Sequence, residues 1–261
     1  MILELFVSIA LIALICEWID SSLGMGYGTI LSPLLLLFGF SVSEVVPAIL
    51  ITQALGGFSA AIFHHRHGNA HFSFKGKWSE DSKTVLVISS LGVIAAIAAA
   101  FLGSIISKNV LTAYIGALVL VMGFLVLINF SFRYSTMKMV IVGIISAFNK
   151  GLSGGGFGPI VTGGQMVLGK EHKSSIACTT AAEPLICIAG FLVYLFLNGL
   201  SNVSLIFALA IGSLIAGPFG AITTKALNRN KLKIIVGVLM LVLGTLTLLK
   251  IAGVIAINLS I

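Results

Sequence analysis

The chain has 261 residues, of which 58% are hydrophobic and only 9% charged, with a mean hydropathy of +1.16. Soluble domains carry about 25% charged residues, so this composition excludes an ordinary soluble enzyme or binding module and implies an integral membrane protein in a lipid bilayer. The formal net charge of +7 would point to nucleic acid in a soluble chain, but no basic stretch here is interleaved with aromatics. Nucleic acid is therefore not an expected partner, and the basic residues fit the cytoplasmic loops of a multi-pass protein. Cys16, Cys178 and Cys187 lie inside apolar segments and form no CxxC pair or disulfide framework. The beginning of the chain has no basic stretch and carries Glu4, so it does not read as a cleaved signal peptide.

In chain order, Ile2 to Trp18 is apolar apart from Glu4 and Glu17, and is followed by a polar, glycine-rich break from Ile19 to Gly28. Thr29 to Phe40 is a short apolar piece, Ser41 to Pro47 reads as a loop, and Ala48 to Phe63 as a span. The polar connection His64 to Lys83 comes next, then spans at Thr84 to Ile106 and Val110 to Phe130, joined by a turn at Ser107-Lys108-Asn109. His64, His65, His67 and His71 read as members of a solvated loop, since no cysteine or closely spaced carboxylate accompanies them. Arg133 and Lys138 occupy the central connection. A second broken segment runs from Met139 to Leu168, interrupted by Asn149-Lys150-Gly151-Leu152-Ser153-Gly154-Gly155-Gly156-Phe157-Gly158-Pro159. The loop Gly169 to Ser175 leads to spans at Ile176 to Phe196, Ser204 to Thr224 and Ile234 to Ile255.

The two broken segments belong to a duplication. A shift of 130 residues places Gly26-Tyr27-Gly28 on Gly156-Phe157-Gly158, Gly39 on Gly169, Gln53 on Glu183 and Asp20 on Lys150. A shift of 121 places Asn109, Gly116 and Gly123 on Asn230, Gly237 and Gly244. The repeats are therefore 1–130 and 131–261 within one membrane domain. Assigning 64–83, 131–138, 169–175 and 225–233 to the cytoplasm puts 12 of the 15 Lys and Arg inside. Each half then crosses an odd number of times, and the second is inverted relative to the first. The fold expected is an all-α polytopic membrane protein of two inverted repeats, each with a glycine-broken short-helix pair and three transmembrane helices. That is the arrangement of secondary transporters with a midplane site.

Flanks of about 10 residues cover only half of a hydrocarbon core about 30 Å thick, which would put each break near the midplane. Glycine there allows φ > 0, and the amides opening a half-helix attract an anion. Close helix packing through small residues is the alternative use of such glycines. Ionisable groups inside the membrane cost roughly 2.5–3.5 kcal/mol each on insertion scales and face a cavity or a partner; here they are Glu17, Asp20, Lys150 and Glu183. Asp20 and Lys150, as mates, are expected to meet as a buried pair, either an anion ligand with its proton-accepting counter-ion or a structural salt bridge. Glu183 precedes Pro184, and with Gln53 could point at a central cavity. Thr52, Thr179 and Thr180 could donate hydroxyls there, although membrane threonines often bond their own backbone. The expected substrate-binding set is Ser22, Gly24, Gly26, Gly28, Gln53, Lys150, Ser153, Gly154, Gly155, Gly156 and Gly158, with Asp20 and Glu183 as the coupling or proton-carrying residues. No catalytic set and no phosphate-binding loop is present, since Gly158 is followed by proline and no strand precedes the run; no enzyme activity, metal or cofactor is expected.

The paired motifs Gly24-Met25-Gly26-Tyr27-Gly28-Thr29 to Pro33 and Ser153-Gly154-Gly155-Gly156-Phe157-Gly158-Pro159 resemble the repeats of the sulfite exporter TauE/SafE family, also called the 4-toluene sulfonate uptake permease family. The resemblance covers nearly the whole chain. It departs from an all-glycine pattern at Met25 and Tyr27. It implies transport of sulfite, sulfonates or related small sulfur-containing anions across the bacterial cytoplasmic membrane. The reading is a secondary carrier working by alternating access, with a proton on Asp20 or Glu183 as the coupling ion. An anion channel built on the same breaks is the alternative. A homo-oligomer is compatible with either.

Overall fold

A computed structural model describes residues 3–74, 76–128, 136–200 and 202–255. Among these residues the chain forms ten helices and no strand: α1 Leu3–Leu23, α2 Tyr27–Leu37, α3 Val42–Arg66, α4 Glu80–Ile105, α5 Lys108–Leu127, α6 Thr136–Ser153, α7 Gly158–Val167, α8 His172–Asn198, α9 Val203–Thr223 and α10 Arg229–Ile251. α3, α4, α5, α8, α9 and α10 are long and apolar enough to cross a membrane. The boundary expected between residues 130 and 131 lies outside the described residues, as does the connection carrying Arg133.

Helix runs further into the polar segments than the sequence suggests. α1 continues through Glu17 and Asp20 to Leu23, and α6 continues through Asn149 and Lys150 to Ser153. The breaks shrink to 24–26 and 154–157. Gly151 stays helical because it lets α6 lie against α4: a Cβ there would come within 2.7 Å of the Ala96 carbonyl. The expected loop at Ser41 to Pro47 is the first turns of α3. Ser41 and Glu44 form a capping box, in which the Ser41 amide donates to Glu44 Oε2 at 2.9 Å. α7 opens on Gly158-Pro159, a position where proline's missing N–H costs nothing.

Helix directions follow from which residues touch. α1 and α9 run parallel, Gly212 facing Ala10 and Leu14 while Gly220 faces Ser21. α6 and α4 also run parallel, with Gly92 against Ala147 and Gly151 against Ala96. α3 and α8 cross antiparallel, Gly57 meeting Pro184 and Gly190 meeting Leu50; α5 and α10 pack antiparallel through Gly116, Gly123, Gly237 and Gly244. Glycine at these contacts lets backbones approach, the usual means of helix association where lipid supplies no hydrophobic drive.

Polar contacts gather at two opposite ends. At one, Asp81 at the start of α4 accepts from Ser174 Oγ at 2.6 Å and pairs with Lys170 Nζ at 2.9 Å, and Lys225 Nζ donates to the His67 carbonyl at 3.0 Å. At the other, Asn202 Nδ2 donates to Glu44 Oε1 at 2.9 Å and Lys250 Nζ caps α2 through the Leu36 carbonyl at 2.9 Å. His64 is not solvated. It is buried near the end of α3, while His65, His67 and His71 remain at the surface end.

Candidate functional site

The two breaks meet at the centre of the molecule. Gly24 and Gly26 have φ of 72° and 138°, and Gly154 and Gly156 have φ of 75° and 82°, a region that favours glycine. At Gly28 a Cβ would collide with the Gly154 carbonyl, and at Gly158 with the Gly24 carbonyl. A Cβ on Gly155 would lie 2.9 Å from the Thr29 amide. The chains therefore cross backbone on backbone. Ser32 Oγ donates to the Ser153 carbonyl at 2.8 Å and Thr162 Oγ1 to the Gly24 carbonyl at 3.1 Å, which ties each short helix to the opposite break.

Beside the crossing runs a chain of polar side chains from four helices. Glu183 Oε1 of α8 pairs with Lys150 Nζ of α6 at 2.8 Å. Lys150 Nζ also donates to Gln53 Oε1 of α3, and Gln53 Nε2 donates to Asp20 Oδ2 of α1 at 3.1 Å. Asp20 Oδ1 accepts from the Tyr27 amide at 3.2 Å, so the protein's own carboxylate sits on the N-terminus of α2. None of Asp20, Gln53, Lys150 and Glu183 exceeds 5% exposure. The expected direct pair of Asp20 with Lys150 is replaced by a bridge. Gln53 stands between them because α3 crosses the centre there, and the lysine's carboxylate partner is Glu183.

The remaining expected residues divide. Gly24, Gly28, Gly154, Gly155 and Gly158 form the crossing. Gly26 and Gly156 face Ile19 and Leu118 instead. Ser22 turns toward α9, its hydroxyl donating to the Trp18 carbonyl at 2.6 Å and lying 3.0 Å from Thr223 Oγ1. Ser153 Oγ donates to the Asn149 carbonyl at 2.7 Å and accepts from the Gly155 amide at 3.1 Å. The Tyr27 and Gly155 amides are thus held by the protein itself. Thr52 and Thr179 bond their own helices, through the Ala48 and Ser175 carbonyls at 2.7 and 2.9 Å. Thr52 Oγ1 is also 2.7 Å from the Tyr27 hydroxyl. Thr180 Oγ1 is buried without a partner among the described residues.

Two buried groups near the site had no role assigned from sequence. Glu17 is 1% exposed; its Oε1 accepts from Ser21 Oγ at 2.8 Å and its Oε2 has no partner among the described residues. His64 Nε2 donates to the Ser21 carbonyl at 3.0 Å, and its Nδ1 accepts from Asn69 Nδ2 at 2.9 Å. A capped helix end running through the histidine cluster was the only sequence signal that could have separated His64 from its neighbours.

The sulfite exporter TauE/SafE family model matches residues 9–247. The chain belongs to this family. It is similar to the Bacillus subtilis (strain 168) protein named "Probable membrane transporter protein YtnM", with 26% identity over 92% of this chain and 82% of the relative. No solved structure matches. Family, relative and apolar helices together make this a multi-pass membrane protein of a transporter family and not an enzyme, and a bacterial relative agrees with a cytoplasmic-membrane location.

Proposed function

We propose that the chain is a secondary carrier for a small sulfur-containing anion such as sulfite or a sulfonate, built as two inverted repeats and working by alternating access. The observation that carries this reading is the buried chain Asp20–Gln53–Lys150–Glu183, supplied in equal part by residues that are mates across the repeat. Mated contacts recur elsewhere. The collision of Gly28 with the Gly154 carbonyl matches that of Gly158 with the Gly24 carbonyl, and the Asn202–Glu44 bond matches Ser174–Asp81 at the opposite end. These pairs support an inversion between halves. The end where residues 64–74, 76–83, 169–175 and 225–228 lie is the cytoplasmic one in this reading, because the loops 64–83, 131–138, 169–175 and 225–233 assigned to that side hold 12 of the 15 Lys and Arg.

The halves differ where an anion would bind. At the opening of α2 the Asp20 carboxylate takes the Tyr27 amide. At the matched place before α7 the residue is Lys150, which brings an ammonium where the first half has a carboxylate. The α7 N-terminus with Lys150 is therefore the better anion cradle. Lys150 is held by Glu183 and Gln53, so an arriving anion competes with Glu183. Protonation of Glu183 or Asp20 would favour that exchange and couple transport to a proton gradient.

A binding panel tests the substrate class. Purified protein titrated with sulfite, thiosulfate, taurine and acetate should respond to the sulfur oxyanions and sulfonate before acetate. A preference for acetate would remove the sulfur-anion assignment.

A further inference from the structure

We propose that Glu17 is a proton-binding site beside the central chain and holds its proton in this conformation. The proposal rests on the carrier reading only for its purpose; the site itself is argued from geometry. Glu17 is 1% exposed, has no ion-pair partner among the described residues, and keeps Oε2 unmet while Ser21 Oγ holds Oε1 at 2.8 Å. The carboxyl fills a space made for it. A Cβ on Gly56 of α3 would fall 2.9 Å from Glu17 Cδ and 3.0 Å from Ser213 Cβ of α9. The mated position in the second half is Ala147, and the mate of Gly56 is Ile186, whose side chain fills the gap between Ala147 and Gly92. One half thus packs isoleucine where the other packs a carboxyl, so shape alone does not require an acid there.

Charge decides its state. The titratable groups around Glu17 are Cys16 and Asp20 on its own helix, Tyr27 of α2, Lys150 of α6, and Glu183 and Cys187 of α8. Lys150 is the one cation among them and is already bonded to Glu183. A third anionic carboxylate in this dry centre would be uncompensated, whereas a neutral acid leaves only an unmet O–H.

Infrared difference spectroscopy on the purified full chain tests the site without any substrate, so failure of the carrier reading leaves the result unaffected. A protonated-carboxyl C=O band at neutral pH should shift when glutamate is carboxyl-¹³C labelled, and should be lost in Glu17→Gln. Should Glu17→Gln fail to fold, Glu17→Asp replaces it, and its band should no longer shift with labelled glutamate. A band that is absent, unmoved by labelled glutamate in the wild-type chain, undiminished in a folded Glu17→Gln protein, or still shifted by the label in Glu17→Asp would overturn the site.

Discussion

Lys150 is the residue whose partners decide how the centre is held. It is fully enclosed and neutralised by Glu183 at 2.8 Å, so removing either partner strands a buried charge. Such orphans cost about 3–5 kcal/mol, whereas loss of both charges together is often neutral. Lys150→Met and Glu183→Gln should each lower unfolding stability by about that amount, and the double variant should recover most of it. Anion affinity should stay low in the double variant, because the α7 cradle has lost its cation. Recovery of affinity with stability would take Lys150 out of the binding site. The sequence made the four ionisable groups conspicuous by their cost in lipid, and the repeat offset identified mates. It could not say which mates touch, because Gln53 and Glu183 arrive on helices whose crossing is set by Gly57 and Gly190.

At the scale of the element, the breaks are shorter than composition suggests. Polar residues at Asp20, Asn149 and Lys150 look like loop in a hydropathy reading, yet they are helical, because each finds a partner inside the protein rather than facing lipid. What stays non-helical holds the positive-φ glycines Gly24, Gly26, Gly154 and Gly156. Gly156→Val should abolish transport while leaving membrane insertion intact, since φ is +82° and the new Cβ would lie 3.2 Å from Leu118. Gly28→Ala should do more, destabilising the fold itself, because its Cβ meets the Gly154 carbonyl and backbone cannot step aside. Wild-type melting of Gly28→Ala in detergent would mean the two breaks do not cross as described. The capping box at Ser41 and Glu44 has the S-x-x-E pattern and lies inside the stretch expected to be a loop, Ser41 to Pro47. Helix tolerated that proline, and the span begins six residues earlier than expected, at Val42 instead of Ala48.

For the whole molecule, the proposed inversion of the halves rests on the charge bias, the helix directions and the paired contacts at each end. Ser79 and Asn202 are natural reporters by position, but both cap helices, so exposed Lys77 and Leu200 serve better. The native cysteines are buried, which keeps background labelling low. Single cysteines at Lys77 and Leu200 should react from opposite faces of the membrane, Lys77 from the cytoplasmic one, and reaction of both from one face would sink the inversion. A carrier exchanges its substrate and a channel does not, and counterflow separates the two. Proteoliposomes loaded with unlabelled sulfite and diluted into trace labelled sulfite should accumulate label transiently above equilibrium, and Lys150→Met should abolish the overshoot. Rapid equilibration of label with no overshoot in the wild-type protein would contradict the carrier and leave a channel.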